Sequence, residues 1–138
     1  QTWNLLGKND RNEQDNVRML NFAKASLYHW KKSPQYEPLN EQRGLWMISH
    51  VYAILERGEV ALEYAQETLQ LTEKHEFKDF DLAYTNEAMA RAYAASGNKD
   101  KCKVWRKKAL DAGILIIGKD DKKYFYEDFS SEPWFGFN

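Results

Sequence analysis

The side chains that could do chemistry in this chain are three histidines and one cysteine. His29, His50 and His75 fall on three different predicted helices, without the i, i+4 histidine pair or the HExxH pattern that holds zinc. We therefore interpret His29, beside Trp30, and His50, in an apolar helix, as packing residues. Cys102 lies on the inward stripe of its helix, and because burial makes a thiol inert, it too is predicted to be structural.

Other patterns typical of catalytic sites are missing from the sequence. Glycine-rich phosphate loops, Ser/His/Asp constellations and metal-ligand clusters are absent. The sequence therefore predicts neither an enzyme nor a bound cofactor or metal. One alternative stays open, namely a small-molecule or enzymatic pocket in which Trp30, Trp46 and His50 would converge.

Charge is balanced overall but unevenly distributed. The formal net charge is −1, so we expect neither nucleic acid nor an anionic membrane as a partner. Residues 37–87 hold 11 acidic and 4 basic side chains, whereas residues 88–124 hold 4 acidic and 10 basic ones. The basic run on residues 99–108 is interpreted as a solvated helix face, which would complement the acidic first repeat of a neighbouring molecule.

Composition predicts a single domain in a reducing compartment. A chain of 138 residues is most simply one domain, and its single cysteine excludes an intrachain disulfide. No apolar run approaches the roughly 20 residues of a membrane helix, and no secretory signal is visible. Because the chain opens with Gln1, we expect residues to have been lost upstream. The expected location is the cytoplasm.

Apolar residues recur at helical spacing along most of the chain, and no segment shows the alternation of a half-buried strand. Gly7 is predicted to end one helix, and Asp10 with Glu13 to open the next as a capping box. Flanking helices are predicted at about residues 11–32 and 120–129, and the two prolines within residues 33–40 predict a loop. The second flanking helix has three aromatic residues that are predicted to face inward: Tyr124, Phe125 and Phe129.

Between the flanking helices, a helix–turn–helix unit occurs twice. In each copy an apolar helix is followed by a glycine, Gly58 or Gly97, and then by an amphipathic helix. The pairs are predicted at about residues 41–75 and 79–117, and their glycines are 39 residues apart, within the range of stacked helical repeats. The sequence therefore predicts one all-α domain over residues 1–138, a right-handed α-solenoid of six or seven antiparallel helices.

The second pair resembles a tetratricopeptide repeat. Its residues 93–97 (YAASG), followed by Cys102 and Ala109–Leu110, match the tyrosine, turn glycine and small packing residues of that repeat. The stretch from Ala25 to Phe129, with ASLYHW, RGLWMISHVYAILERGE, ALEYA and FDLAYTNEAMARAYAASGN, also resembles a group of uncharacterised bacterial tetratricopeptide-like proteins. The resemblance implies a helical-repeat fold. Such repeats commonly bind proteins or peptides in a concave groove lined by the first helix of each pair, so we expect an adaptor.

Candidate partner contacts lie on the first helix of the second pair. Asp81, Tyr84, Glu87 and Arg91 recur at +3, +6 and +10 and so share one helix face. By the repeat resemblance, the last three fall where the groove is lined, and Tyr52 aligns with Arg91 when the turn glycines are superposed. The alternative is an ordinary Glu87–Arg91 surface pair, worth about 0.2–0.5 kcal/mol.

The C-terminal residues 132–138 are rich in apolar area, with Trp134, Phe135 and Phe137 after Pro133. The preferred interpretation is that Trp134 folds back to cover the last helix. The alternative is that this tail docks in the groove of a second copy, which would make a homodimer.

Overall fold

The computed structural model describes residues 13–138, and this part of the chain contains six α-helices and no strand. The helices are α1 (Glu13–Lys32), α2 (Pro38–Ile54), α3 (Gly58–Lys74), α4 (Phe80–Ala95), α5 (Lys99–Ile114) and α6 (Lys119–Ser130). The all-α prediction is therefore confirmed. Gly7 and Asp10 lie outside the described residues.

The helices form a stack of antiparallel hairpins. Connections of three to five residues join consecutive helices, so each helix from α1 to α5 folds back against the next one. The first helices of the two predicted pairs, α2 and α4, also pack against each other. The last helix, α6, lies against α4 and α5 and covers one end of this stack.

The turns of the two hairpins have the same geometry, but the residues at equivalent positions are not the ones that the sequence predicted. Glu56 (φ 61) and Gly97 (φ 77) hold the same left-handed position after their helices. In each turn the following amide donates to a helix carbonyl, that of Tyr52 or Tyr93, at 2.9 Å. The equivalent positions are therefore 41 residues apart, so superposing Gly58 on Gly97 was wrong by two residues.

Gly58 serves close packing rather than the turn. It is the first residue of α3, and a Cβ at this position would lie 2.4 Å from the backbone nitrogen of Ser96 and 2.7 Å from the carbonyl carbon of Ala95. The absence of a side chain at Gly58 thus lets the start of α3 touch the end of α4.

Two helix boundaries differ from the predicted ones. Helix α2 begins at Pro38 rather than near Glu41, because proline is well tolerated in the first turn, where its missing N–H has no helical partner. Helix α5 ends at Ile114 rather than near residue 117, and beyond this end Ile116 is buried whereas Ile117 is 91% exposed.

Small residues set the close approach of the helices in the core. At the corrected offset, Ala61 of α3 is equivalent to Cys102 of α5, and both are fully buried. Helix α4 contributes five buried alanines: Ala83, Ala88, Ala90, Ala92 and Ala94. This helix is enclosed nearly all round, and of its four predicted groove residues Tyr84, Glu87 and Arg91 are buried while Asp81 is only partly buried.

Candidate partner-binding cleft

The predicted groove face of α4 is largely covered by the C-terminal part of the same chain. Glu87 and Arg91 are 0% and 1% exposed, and Tyr84 is 8% exposed. The covering elements are α6 and residues 131–138. Glu87 and Arg91 therefore lie on the shared face that their spacing predicted, but they are not open to a partner in this conformation.

The side chain of Arg91 binds backbone carbonyls at the end of α6 and in the C-terminal segment. Its Nη2 donates to the carbonyl oxygen of Asp128 at 2.7 Å, and its Nη1 donates to the carbonyls of Ser131 and Pro133 at 3.1 and 2.9 Å. Its Nε donates to Glu87 Oε1 at 3.0 Å. One buried guanidinium thus satisfies several carbonyls where α6 ends and the chain becomes extended.

Trp134 closes this contact from the C-terminal side. Its ring lies between two guanidinium groups, those of Arg91 at 4.1 Å and Arg106 at 4.2 Å. Its indole nitrogen donates to the carbonyl oxygen of Phe129 at 2.8 Å, and the side chain is 1% exposed. The described tail therefore packs within its own chain and covers α6, as the preferred interpretation expected.

A buried histidine of α2, His50, lies beside the Glu87–Arg91 pair of α4. His50 Nδ1 lies 3.8 Å from Glu87 Oε1, and the His50 ring stacks on Trp46 with centroids 5.1 Å apart. Burial, and secondarily the charge of Arg91, lowers the pKa of His50 to about 3, so its imidazole is neutral at pH 7. Burial raises the pKa of Glu87, and Arg91 opposes this shift.

Beside the part of this face that is covered, at Glu87 and Arg91, an open cleft of about 690 Å³ lies between α2, α4 and α6. Its aromatic and apolar lining comes from Trp46, Met47, Phe80, Tyr84 and Tyr124. Its polar lining comes from Gln42, Arg43, Lys78, Asp79, Asp81, Asp121 and Asp128. The cleft thus combines an apolar interior with a charged rim.

Contacts within the cleft fix several of these side chains. Arg43 makes a bidentate pair with Asp81, at 3.0 Å from Nε to Oδ1 and 3.3 Å from Nη2 to Oδ2. The Tyr84 hydroxyl donates to Asp128 Oδ2, and burial together with this carboxylate raises the pKa of Tyr84 far above its usual value. The phenol therefore stays protonated and holds α6 against α4.

Tyr52 lies elsewhere. It is 7% exposed, and its ring stacks on Tyr64 with centroids 5.7 Å apart, with Lys24 Nζ 5.4 Å from the ring centre. At the offset of 41 residues Tyr52 is equivalent to Tyr93, and the equivalent of Arg91 is His50. Tyr52 therefore does not line the cleft described above, and its equivalence with Arg91 rested on superposing the glycines.

The alternative pocket of Trp30, Trp46 and His50 does not form. Trp46 and His50 stack, but Trp30 is 38% exposed and lines a separate hollow with Ala23 and Gly44. The three side chains are therefore not brought to one cavity.

The remaining reactive side chains have mixed outcomes. His50 and Cys102 are buried, as predicted, and burial raises the pKa of the Cys102 thiol. His29 and His75 are exposed, so the packing role predicted for His29 was wrong.

Within residues 13–138 no group of three or more His, Cys, Asp or Glu side chains could hold a metal ion. Across the same residues no helix has the length and apolar character needed to span a bilayer.

Sequence reasoning missed the acidic side of the cleft. Asp121, Tyr124 and Asp128 recur at +3 and +7, which places them on one face of α6. This spacing was a readable signal, but Tyr124 was predicted to face inward and is 57% exposed, whereas Phe125 and Phe129 are buried.

Comparison of the chain with family models, with curated proteins and with solved structures found no match.

Proposed function

We propose that this protein is a protein- or peptide-binding adaptor whose open cleft receives an extended segment of a partner. The observation that carries the proposal is the cleft of about 690 Å³ between α2, α4 and α6, with Trp46, Phe80 and Tyr84 in its lining. Apolar clefts with a few convergent polar groups are the usual form of ligand sites. Of the candidate contact residues, Asp81 and Tyr84 line this cleft.

The covered half of the same face supports a polypeptide ligand. There the non-helical residues 131–134 of the same chain already lie against α4, held by Arg91 through backbone carbonyls and by the buried ring of Trp134. A helix face that binds backbone carbonyls of non-helical chain in cis has the chemistry to bind a polypeptide segment in trans. The repeat resemblance points to the same surface.

A library of random peptides selected for binding to the whole chain tests this proposal. Selected peptides should lose affinity for a Tyr124→Ala variant, because Tyr124 lines the cleft and is 57% exposed. They should bind a Tyr28→Ala variant as tightly as the unmodified protein, because Tyr28, 65% exposed on α1, is not among the cleft residues. Failure to select any peptide whose binding depends on Tyr124 would overturn the proposal.

A further inference from the structure

The cleft described above carries an excess of negative charge. Its lining includes four carboxylates, those of Asp79, Asp81, Asp121 and Asp128, against two cations, Arg43 and Lys78. Arg43 is committed to Asp81 by the bidentate pair. Asp121 is exposed and, among the described residues, its carboxylate has neither a hydrogen bond nor an ion pair. A ligand with a positive charge would therefore meet an available carboxylate.

A buried acceptor in the lining points independently to a hydrogen-bond donor. The hydroxyls of Thr72 and Thr85 donate to the carbonyls of Thr68 and Asp81 at 2.7 Å each. Both hydroxyls are thus left to accept, and Gln42 Nε2 donates to them at 3.1 and 2.9 Å. In this arrangement the amide nitrogen of Gln42 faces the two hydroxyls, which lie 2.9 Å from each other, and its oxygen is not bonded to them.

The other end of that amide lacks a partner. Gln42 is 2% exposed, lines the cleft, and its Oε1 makes no hydrogen bond. A buried acceptor without a partner is destabilising, so a ligand N–H that reaches it gains a favourable hydrogen bond.

The rest of the lining fits a cation on an apolar stem. Trp46 and Tyr84 line the interior of the cleft, and Tyr124, 57% exposed, offers an aromatic ring, a group that attracts ammonium and guanidinium ions. At the rim, Ile117 is 91% exposed, and its backbone nitrogen donates to Asp79 Oδ1 at 2.8 Å, which keeps this apolar side chain beside the cleft. Tyr124 adds a second exposed apolar surface.

We infer that the cleft binds a lysine or arginine side chain within a basic segment of a partner protein that also carries apolar residues. This inference rests on the proposed function and names the chemistry of the occupant. The cation pairs with Asp121 and reaches toward the Gln42 acceptor, while neighbouring apolar residues of the segment cover Ile117 and Tyr124. The excess of carboxylates disfavours an acidic segment or a phosphorylated one.

Calorimetric titration of the whole chain with three synthetic heptapeptides tests the inference. The peptides alternate leucine with lysine, with glutamine or with glutamate. We expect the lysine peptide to bind most tightly, the glutamine peptide about three- to tenfold more weakly, and the glutamate peptide not measurably. Affinity for the lysine peptide should fall as salt concentration rises, because the contact is ionic.

A matched pair of charge-neutral variants locates the contact. Asp121→Asn should weaken the lysine peptide about three- to tenfold. Asp120→Asn removes the same charge from the preceding, exposed residue, which is not among the cleft residues, and should change the affinity less than about twofold. Equal effects of the two variants, or equal binding of the lysine and glutamine peptides, would overturn the inference.

Two further results separate this inference from the proposal on which it rests. Free spermine binding as tightly as the lysine peptide would assign the cleft to a small polyamine and overturn the partner segment. Tyr124-dependent peptides from the random library that lack basic residues would also overturn the inference, while leaving the peptide-binding function standing.

Discussion

The Glu87–Arg91 pair has the i, i+4 spacing of an ordinary surface pair, but burial changes what it contributes. Both side chains are almost fully buried, and Arg91 also donates to carbonyls of the C-terminal segment. Removing one member of a buried pair strands the other charge, which costs about 3–5 kcal/mol rather than the few tenths of a surface pair.

Arg91→Ala is therefore expected to lower the free energy of unfolding by about 3–5 kcal/mol in denaturant titrations. The exposed pair Lys107–Asp111 has the same spacing with an N–O distance of 2.8 Å, so Lys107→Ala serves as the control and should cost less than about 0.5 kcal/mol. Equal, small losses in both variants would show that Arg91 is not buried as described. The sequence analysis treated Arg91 as a groove contact or as a member of a surface pair, and its burial was missed because the segment that covers it lies about 40 residues later in the chain.

His50 gives the fold a pH dependence of defined sign. Its pKa is about 3 in the folded chain against an ordinary 6.5, so its stability contribution is complete above about pH 6.5 and decreases as pH falls toward 3. The decrease attributable to this residue approaches 1.4 kcal/mol per pH unit within that window. The raised pKa of Glu87 acts in the opposite direction, because the folded state then holds its proton more tightly.

A His50 variant separates the contribution of this histidine to the free energy of unfolding from those of the other titrating groups. His50→Gln keeps a neutral side chain, and the difference in unfolding free energy between the two proteins should shrink from pH 7 to pH 4. A difference that is constant over this range would show that His50 titrates with an ordinary pKa, and so is solvated.

At the scale of the helices, the start of α3 packs against the end of α4. Of the glycines in the described residues, Gly58 in this contact has the least space for a side chain. Gly58→Ala would place a Cβ 2.4 Å from backbone at Ser96, which has no side-chain rotation to relieve it. We expect a loss of about 1–3 kcal/mol, measured by thermal or denaturant unfolding.

Gly44 supplies the control for Gly58. Its Cβ would meet only the Leu27 side chain, with the nearest atom, Cδ1, at 2.8 Å, and this methyl group is able to move. Gly44→Ala should therefore cost less than Gly58→Ala, since alanine also favours a helix interior by about 1 kcal/mol. Reversed costs would contradict the described hairpin packing.

The C-terminal segment is an element of the fold as much as α6 is. Trp134→Ala should lower the stability of the monomer by about 3–5 kcal/mol, because the ring is 1% exposed between two guanidinium groups. Ile117→Ala, at a position 91% exposed, should change stability by less than about 0.5 kcal/mol. An unchanged melt for Trp134→Ala, with loss of a dimer, would instead favour the tail docking in a second copy.

How far the sequence predicts these elements depends on the range of the interactions. Helical periodicity and the turn signals located the helices to within a few residues, because both are local. The register of the first hairpin was missed, since Glu56 takes the left-handed position that Gly58 was expected to hold. Burial of Arg91 and the Asp121 side of the cleft depend on where α6 docks, which the local pattern does not encode.

For the whole molecule, the groove face divides into two halves. The half at Glu87 and Arg91 is filled by the chain's own C-terminal segment, and the half at Trp46 and Tyr84 remains open as an acidic, aromatic cleft. We propose that a partner's basic segment enters the open half while the filled half stays closed.

The indole N–H resonances of the tryptophans test this claim in one nitrogen–proton NMR titration with the leucine–lysine peptide. The chain has five tryptophans, and single Trp→Phe variants assign them. Trp46 lines the cleft and its indole donates to the Tyr84 carbonyl at 3.1 Å, so its resonance should shift progressively and saturate. Trp134 is part of the C-terminal segment and is buried in the filled half, so its resonance should stay in place. A Trp46 resonance that does not move, or a Trp134 resonance that shifts in its place, would contradict the account.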